Sequence, residues 1–214
     1  MVFAFPGGAR YPLENGKVAD MARRAAVLGA IVADTSEVDA WVYNSQAHRL
    51  PPLRPAEASG WIEDWALLPK EPLFTQDAAP GNLLAQQADT YGLDQDGEDV
   101  AAAVRDIARS VPRGGVPTLV LFYLWAARSD GPTSGDRLHE AADDNVFWQF
   151  LGEDSPGNTV QTLLERLPGE APHIRNVHVC TGWEQLRDTP DHFFFRGVLK
   201  PFARRCRSRR AEVE

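Results

Sequence analysis

The 214-residue chain has only two cysteines, Cys180 and Cys206. They are too few for a disulfide framework, and without a C-x-x-C spacing they indicate neither a zinc site nor a redox pair. Long apolar runs are also missing. No segment approaches the roughly 20 residues needed to cross a bilayer, and the first residues are too poor in apolar and basic side chains for a secretory signal. Both absences fit a reducing compartment, so the expectation is a cytoplasmic protein with no membrane partner. Positive charge is in deficit, with 22 Lys and Arg against 30 Asp and Glu and a formal net charge of −8. A general affinity for nucleic acid needs a concentrated positive surface, so that class is excluded. One segment runs against this balance. Arg204, Arg205, Arg207, Arg209 and Arg210 crowd residues 204–214, read as a solvated, frayed basic tail and the one place where nucleic acid or an acidic partner would bind.

With 43% hydrophobic residues the chain can bury a sizeable core. No fixed-period repeat or low-complexity linker divides it, so residues 1–203 are expected to form one domain. Short apolar runs alternate with helical periodicities, which predicts a doubly wound α/β fold: a mostly parallel sheet with helices on both faces. The predicted strands are Val2–Phe5, Val38–Tyr43, His48–Leu50, Thr118–Trp125, Val146–Leu151 and Asn176–Cys180. Between the first two, the spacing of Val18, Met21, Ala22, Ala25, Leu28, Gly29 and Val32 predicts a helix from about Gly16. Residues 53–92 are irregular, with small helices such as Ser59–Leu68. Val100 to Val111 is a clear amphipathic helix, and further helices are expected over Ser134–Ala142 and Thr159–Leu167. Thr189-Pro190-Asp191 has the residues of a helix start, with proline at the first helical position, and opens a helix that buries Phe195, Val198, Leu199 and Phe202.

Few residues suggest chemistry. Pro6-Gly7-Gly8-Ala9-Arg10 joins a strand to a helix, so backbone amides there and the Arg10 guanidinium could cradle a phosphate. The loop lacks the spacing of a P-loop or a dinucleotide fingerprint, and a turn needing positive φ explains its glycines equally well. Ser129, Asp130 and His139 fit a polar turn better than a nucleophile with its base, because no G-x-S-x-G elbow is present. His178 and Cys180 alternate on one strand and face the same side, but have no further ligands at suitable spacing. Trp61 and Trp65, four apart, either present an aromatic face or pack a loop helix onto the sheet; packing is the reading adopted.

Several blocks, in order, resemble the von Willebrand factor A-like domain of bacterial tellurite-resistance and stress-response proteins. They are LENGKV (Leu13 to Val18), VDAWVYNSQAHRLPPL (Val38 to Leu53), PTLVLF with SDG (Pro117 to Phe122, Ser129 to Gly131), NVFWQFLG (Asn145 to Gly152) and the closing DTPDHFFFRGVLKPFARR. The resemblance implies a Rossmann-like domain with its contact site at the carboxyl ends of the strands. Intact members hold a divalent cation there on a D-x-S-x-S loop, a later threonine and a T-D-G turn, an oxygen-rich set suited to magnesium. This sequence departs from that pattern. Aligned through Asn15-Gly16-Lys17-Val18, Ala4-Phe5-Pro6-Gly7-Gly8 stands in place of D-x-S-x-S, and Leu124-Trp125-Ala126 in place of T-D-G. At the threonine block, Asp96-Gly97-Glu98-Asp99 offers acids but no threonine.

The reading that follows is a degenerate metal site with no metal and no cofactor, and a binding module instead of an enzyme. By resemblance it would serve a bacterial tellurite-resistance, stress or conflict system, its partner being another protein. Its expected contact residues are Arg10 and Trp125 as anchors, with Arg128 and Asp130 at the rim. The competing class is a nucleotide- or anion-binding enzyme that uses Gly7, Gly8 and Arg10.

Overall fold

The computed structural model describes residues 1–8, 10–32, 37–68, 82–91, 93, 99–112, 114, 117–125, 145–152, 176–180 and 188–213. Six strands form one sheet: β1 (Val2–Pro6), β2 (Asp39–Tyr43), β3 (Ala47–Arg49), β4 (Thr118–Leu124), β5 (Val146–Gly152) and β6 (Val177–Cys180). Their order is β3-β2-β1-β4-β5-β6, with every neighbouring pair parallel except β2 and β3. All six runs read as strands in the sequence are strands here. Those that are apolar almost throughout, β1, β4 and β5, occupy the centre, because a strand covered on both faces has no solvated side to make polar.

Alternation along the strands divides the core in two. Phe3, Phe5, Leu119, Leu121, Tyr123, Phe147 and Leu151 pack on one face with α2 (Lys17–Val32), α3 (Ala58–Trp65) and α7 (Asp191–Val213). Val2, Ala4, Val120, Phe122, Trp148 and Phe150 pack on the other with Val100, Val104 and Ile107 of α6 (Val100–Ser110). The helices therefore cover both faces, and the doubly wound architecture expected from the sequence is the one observed.

Ahead of α2 stands a short helix that periodicity did not reveal, α1 (Arg10–Glu14). Five residues are too few to show a period. Gly16 separates the two helices at φ +79°, a conformation that a side chain would strain, and its carbonyl accepts from Asp20 N at 3.0 Å to open α2. The irregular stretch after β3 holds a 3₁₀ turn (Pro55–Glu57), α3, α4 (Leu83–Gln86) and α5 (Ala88–Tyr91). The helices expected over Ser134–Ala142 and Thr159–Leu167 lie outside the described residues.

The last helix differs from its sequence reading at both ends. Pro190 is not its first residue but precedes it, and its carbonyl receives Phe193 N at 3.0 Å and Phe194 N at 3.1 Å. At the other end the frayed tail is replaced by helix through Val213, with Arg205 buried and Arg209 Nη1 donating to Asn145 Oδ1 at 3.2 Å. Composition alone made this segment look solvated. Every third or fourth residue nevertheless returns to the sheet side, and an arginine there needs only one acceptor at the surface of the core.

Candidate functional site

In a sheet of this order the chain leaves β1 toward β2 on one side and returns as β4 on the other, so a crevice opens where β1 and β4 end. β1 pairs with β4 only as far as Ala4↔Phe122, whereas its pairing with β2 continues to Pro6↔Tyr43. The register explains the split. The next amide on β1 that faces β4 belongs to Pro6, which has no hydrogen to give to the Tyr123 carbonyl. Tyr43 supplies it instead: its buried phenol reaches across and donates to Tyr123 O at 2.7 Å, with its ring stacked on Phe122 at 4.6 Å. The carbonyl of Tyr43 meanwhile accepts from Gly7 N at 2.7 Å. A single tyrosine thus ties the ends of three strands together.

Gly7 is buried, and a Cβ there would lie 2.7 Å from both Val42 Cγ2 and Leu93 Cδ2. Its glycine answers to close packing, not to the positive φ read from the sequence. Since its amide is already bonded, Gly7 is no free donor for an anion. Beside it, Asn44 organises the same end of the sheet. Its Nδ2 donates to Tyr91 O at 2.5 Å, its Oδ1 accepts from Gln46 N at 3.0 Å, and its carbonyl takes Asp99 N at 2.7 Å. Asp99 in turn caps α6, its carboxylate accepting from Ala102 N at 2.9 Å, which suits an acid at the positive end of a helix.

Trp125 follows β4 and is half-buried. Its indole stacks on Tyr11 of α1, with ring centroids 5.3 Å apart and planes 29° apart, and the Lys17 ammonium lies 4.5 Å from the indole centroid and 5.7 Å from that of Tyr11. Tyr11 remains 59% exposed. The sequence reading set Arg10 against Trp125. The cation that the described contacts place over the ring is instead Lys17, while Arg10 Nε donates to Glu14 Oε1 at 3.1 Å. The helical turn of α1 decides this: it sends Arg10 along its own helix toward Glu14, four residues on, and leaves Tyr11 facing the sheet end. Tyr11 lay in no motif and Lys17 only in the LENGKV block, which gave it no contact role; the packing of α1 and the start of α2 reveals both. Arg128 and Asp130 lie outside the described residues, as do Asp96, Glu98, Ser129 and His139.

At the end of β1 the side chains of Phe5, Pro6 and Gly7 offer no oxygen, and Trp125 offers none after β4. With carboxylate and hydroxyl ligands required for a hard divalent ion, these positions do not fit one. The family described as vWA found in TerF C terminus (vWA-TerF-like) matches residues 1–202. The chain belongs to this von Willebrand A (vWA) family. Two solved structures share the fold. An aerotolerance-related membrane protein from Bacteroides fragilis NCTC 9343, with multiple mutations to serines, is 12% identical with a TM-score of 0.55, over 95% of this chain and 98% of that one. Proximal thread matrix protein 1 from the mussel byssus is 11% identical with a TM-score of 0.51, over 87% of this chain but only 44% of its own length. Comparison with curated proteins gave no match.

Among the described residues of the vWA domain, the other candidates, Trp61, Trp65, His178 and Cys180, pack against neighbours. Trp61 and Trp65 are buried; Trp61 Nε1 donates to Pro51 O at 2.8 Å, and Trp65 meets Tyr91 edge-on at 6.1 Å. His178 and Cys180 do face the same side, where Gln149 of β5 joins them through Nε2, 2.9 Å from His178 Nδ1 and 2.8 Å from Cys180 Sγ. Burial lowers the His178 pKa and pushes the Cys180 thiol up to about 12. At neutral pH Cys180 is therefore a buried thiol and a poor nucleophile. Iodoacetamide at pH 8, followed by mass spectrometry, should leave Cys180 unmodified in the folded protein and alkylate it once denaturant is added. Labelling of the native protein at Cys180 would show that the β5–β6 edge opens.

Proposed function

We propose that this vWA domain is a non-catalytic protein-binding module of a bacterial tellurite-resistance, stress or conflict system, in which the family's metal ligands have been replaced. Its contact surface is the carboxyl end of the sheet around Trp125. The observation that carries this reading is the stack of Tyr11, Trp125 and Lys17. An indole and a phenol are held face to face under an ammonium at the crevice where ligands of such sheets bind, and the outer ring is largely open to solvent. Aromatic rings that are rigid before binding lose little entropy when a partner covers them, which is why they dominate interface energetics. Arg10 stands at the start of the same short helix and extends the surface.

The replaced ligands lead to the first test. Calorimetric titration with magnesium, manganese or calcium at millimolar concentration should give no saturable heat, and none of the three ions should raise the melting temperature. A one-to-one isotherm abolished by mutating Asp96, Glu98 or Asp130 would mean that displaced acids had rebuilt a site, and the binding-module reading would lose its main support. Titration with ATP and GTP addresses the enzyme class in the same way; the bonded amide of Gly7 favours no binding. For the surface itself, affinity capture from the source bacterium should return one dominant protein with the unaltered domain. Its recovery should fall at least about tenfold, roughly 1.4 kcal/mol, with Tyr11→Ala or Lys17→Glu while the melting temperature hardly changes. Equal recovery by both folded variants would place the interface elsewhere.

A further inference from the structure

The net charge of −8 conceals an uneven distribution: residues 188–214 hold seven of the 22 Lys and Arg but only four of the 30 Asp and Glu. On α7 these cations are sorted by face. Arg205 is buried and Arg209 bonds Asn145, whereas Arg196, Lys200, Arg204 and Arg207 are exposed. At 100° per residue the four fall within an arc of about 80°, opposite the buried Phe194, Val198 and Arg205, and span roughly 16 Å of helix. None of the four charged groups has an ion-pair or hydrogen-bond partner among the described residues. Phe193, 56% exposed, stands in the same arc at the head of the row. This row lies on the helix that covers β5 and β6, away from Trp125 at the end of β4.

We propose that the outer face of α7 docks a short acidic helical segment of a partner protein, with carboxylates at three- and four-residue intervals set on Arg196, Lys200, Arg204 and Arg207. The spacing of the cations, steps of about 6 Å and 4.5 Å, is that of one helical face and is matched by carboxylates on another. Exposed Phe193 gives the row an apolar end, against which an apolar residue of the segment packs. Length distinguishes this occupant from a polyphosphate. A nucleic-acid strand continues past the row onto a body carrying 26 of the 30 acidic residues, and repulsion there acts within the Debye length of about 8 Å. A short segment ends where the positive surface ends. Four like charges aligned without partners among the described residues also repel one another, and a complementary row removes that cost.

The test uses the whole chain and a fluorescent synthetic peptide, rich in alanine, with glutamates at positions i, i+4, i+8 and i+11. An isomer of the same composition with its glutamates contiguous serves as comparison, together with an RNA strand, a DNA duplex and phosphatidylserine vesicles. The spaced peptide should bind saturably, more weakly as salt is raised, and at least about tenfold better than the isomer. Lys200→Glu combined with Arg204→Glu should abolish most of that affinity without lowering the melting temperature, whereas Lys17→Glu should leave it unchanged. Absence of binding, equal binding of the isomer, or equal loss in Lys17→Glu would overturn the proposal. So would tighter binding of RNA, DNA or vesicles that is lost in the same double variant, since the row would then serve a polyanion or an anionic surface. The outcome is independent of the Trp125 surface, because the variants expected to lose peptide binding, at Lys200 and Arg204, lie on α7, and the Lys17→Glu variant that weakens the Trp125 surface serves here as the control.

Discussion

Tyr43→Ala should destabilise the domain by about 3–5 kcal/mol, the cost usual for removing a fully buried aromatic side chain. Three losses coincide at this position. The stack on Phe122 disappears, the Tyr123 carbonyl loses the donor that stands in for the amide Pro6 lacks, and a cavity opens between the two halves of the sheet. Tyr43→Phe isolates the middle term. It keeps the ring and removes only the phenol's bond to the Tyr123 carbonyl, for which about 1–3 kcal/mol is expected. Urea unfolding at equilibrium measures both, and an unchanged m-value would confirm that the loss lies in the native state. The phenylalanine variant is the sharper experiment. If its stability is within about 0.5 kcal/mol of the unaltered chain, the phenol does not close the gap at Pro6, and another group must satisfy Tyr123. Hydrogen exchange should show the effect locally, with faster exchange at Gly7 than at the amino end of β1, because the split between β1 and β4 starts at Pro6.

Arg24→Met should lower stability by about 2–3 kcal/mol, although the residue lies far from the crevice. Arg24 is buried on α2 and holds the start of α7. Its Nη2 donates to Thr189 O at 2.6 Å, its Nε to Asp191 Oδ1 at 3.1 Å, and its guanidinium lies 4.8 Å from the Phe194 ring centroid. Methionine preserves much of the length and packing but removes the guanidinium's bond to the Thr189 carbonyl, and that carbonyl sits where the chain turns into the helix. In a protein of this size the change corresponds to a fall in melting temperature of roughly 4–12 °C. Asp191→Asn tells the backbone bond from the ion pair. Asp191 is 69% exposed at its side chain, so solvent screens the pair and at most about 1 kcal/mol should be lost. If Asp191→Asn costs as much as Arg24→Met, the ion pair and not the carbonyl bond fastens α7. The basic row depends on this fastening, since it is presented only while α7 lies on β5 and β6.

The central strands were legible because burial on both faces leaves an apolar run with no alternative reading, as in TLVLFYL and VFWQFLG. The α6 stripe was legible for the matching reason, that one buried face repeats every three or four residues. Trp125 was placed at the end of β4 by the same logic, since it closes the longest apolar run. What surrounds it was not legible. Tyr11 and Lys17 come to its ring through α1 and α2, and no spacing in the sequence distinguishes them from Arg10. The pairing of Gln149 with His178 and Cys180 was half visible: the alternation on β6 showed two of the three, but the third comes from a neighbouring strand. For the tail, composition gave the charge correctly and the conformation wrongly, because a helix with arginines on its buried side has no apolar stripe to betray it.

The sequence by itself determined the six strands, the amphipathic helices α2 and α6, the family, and the lack of side-chain oxygen at Pro6, Gly7, Gly8 and Trp125, since each of these is a property of residue types in order. Only the tertiary structure decided which groups meet: that Pro6 leaves a gap that Tyr43 spans, that Gly7 is glycine for want of space, that Lys17 lies over Trp125, and that four of the arginines and lysines of α7 share one open face. The physical reason is that hydrophobic periodicity records whether a side chain is covered but not by what. Hydrogen bonds, ring stacks and rows of like charge join residues distant in sequence, and their geometry exists only once the strands are in register and the helices are laid on the sheet.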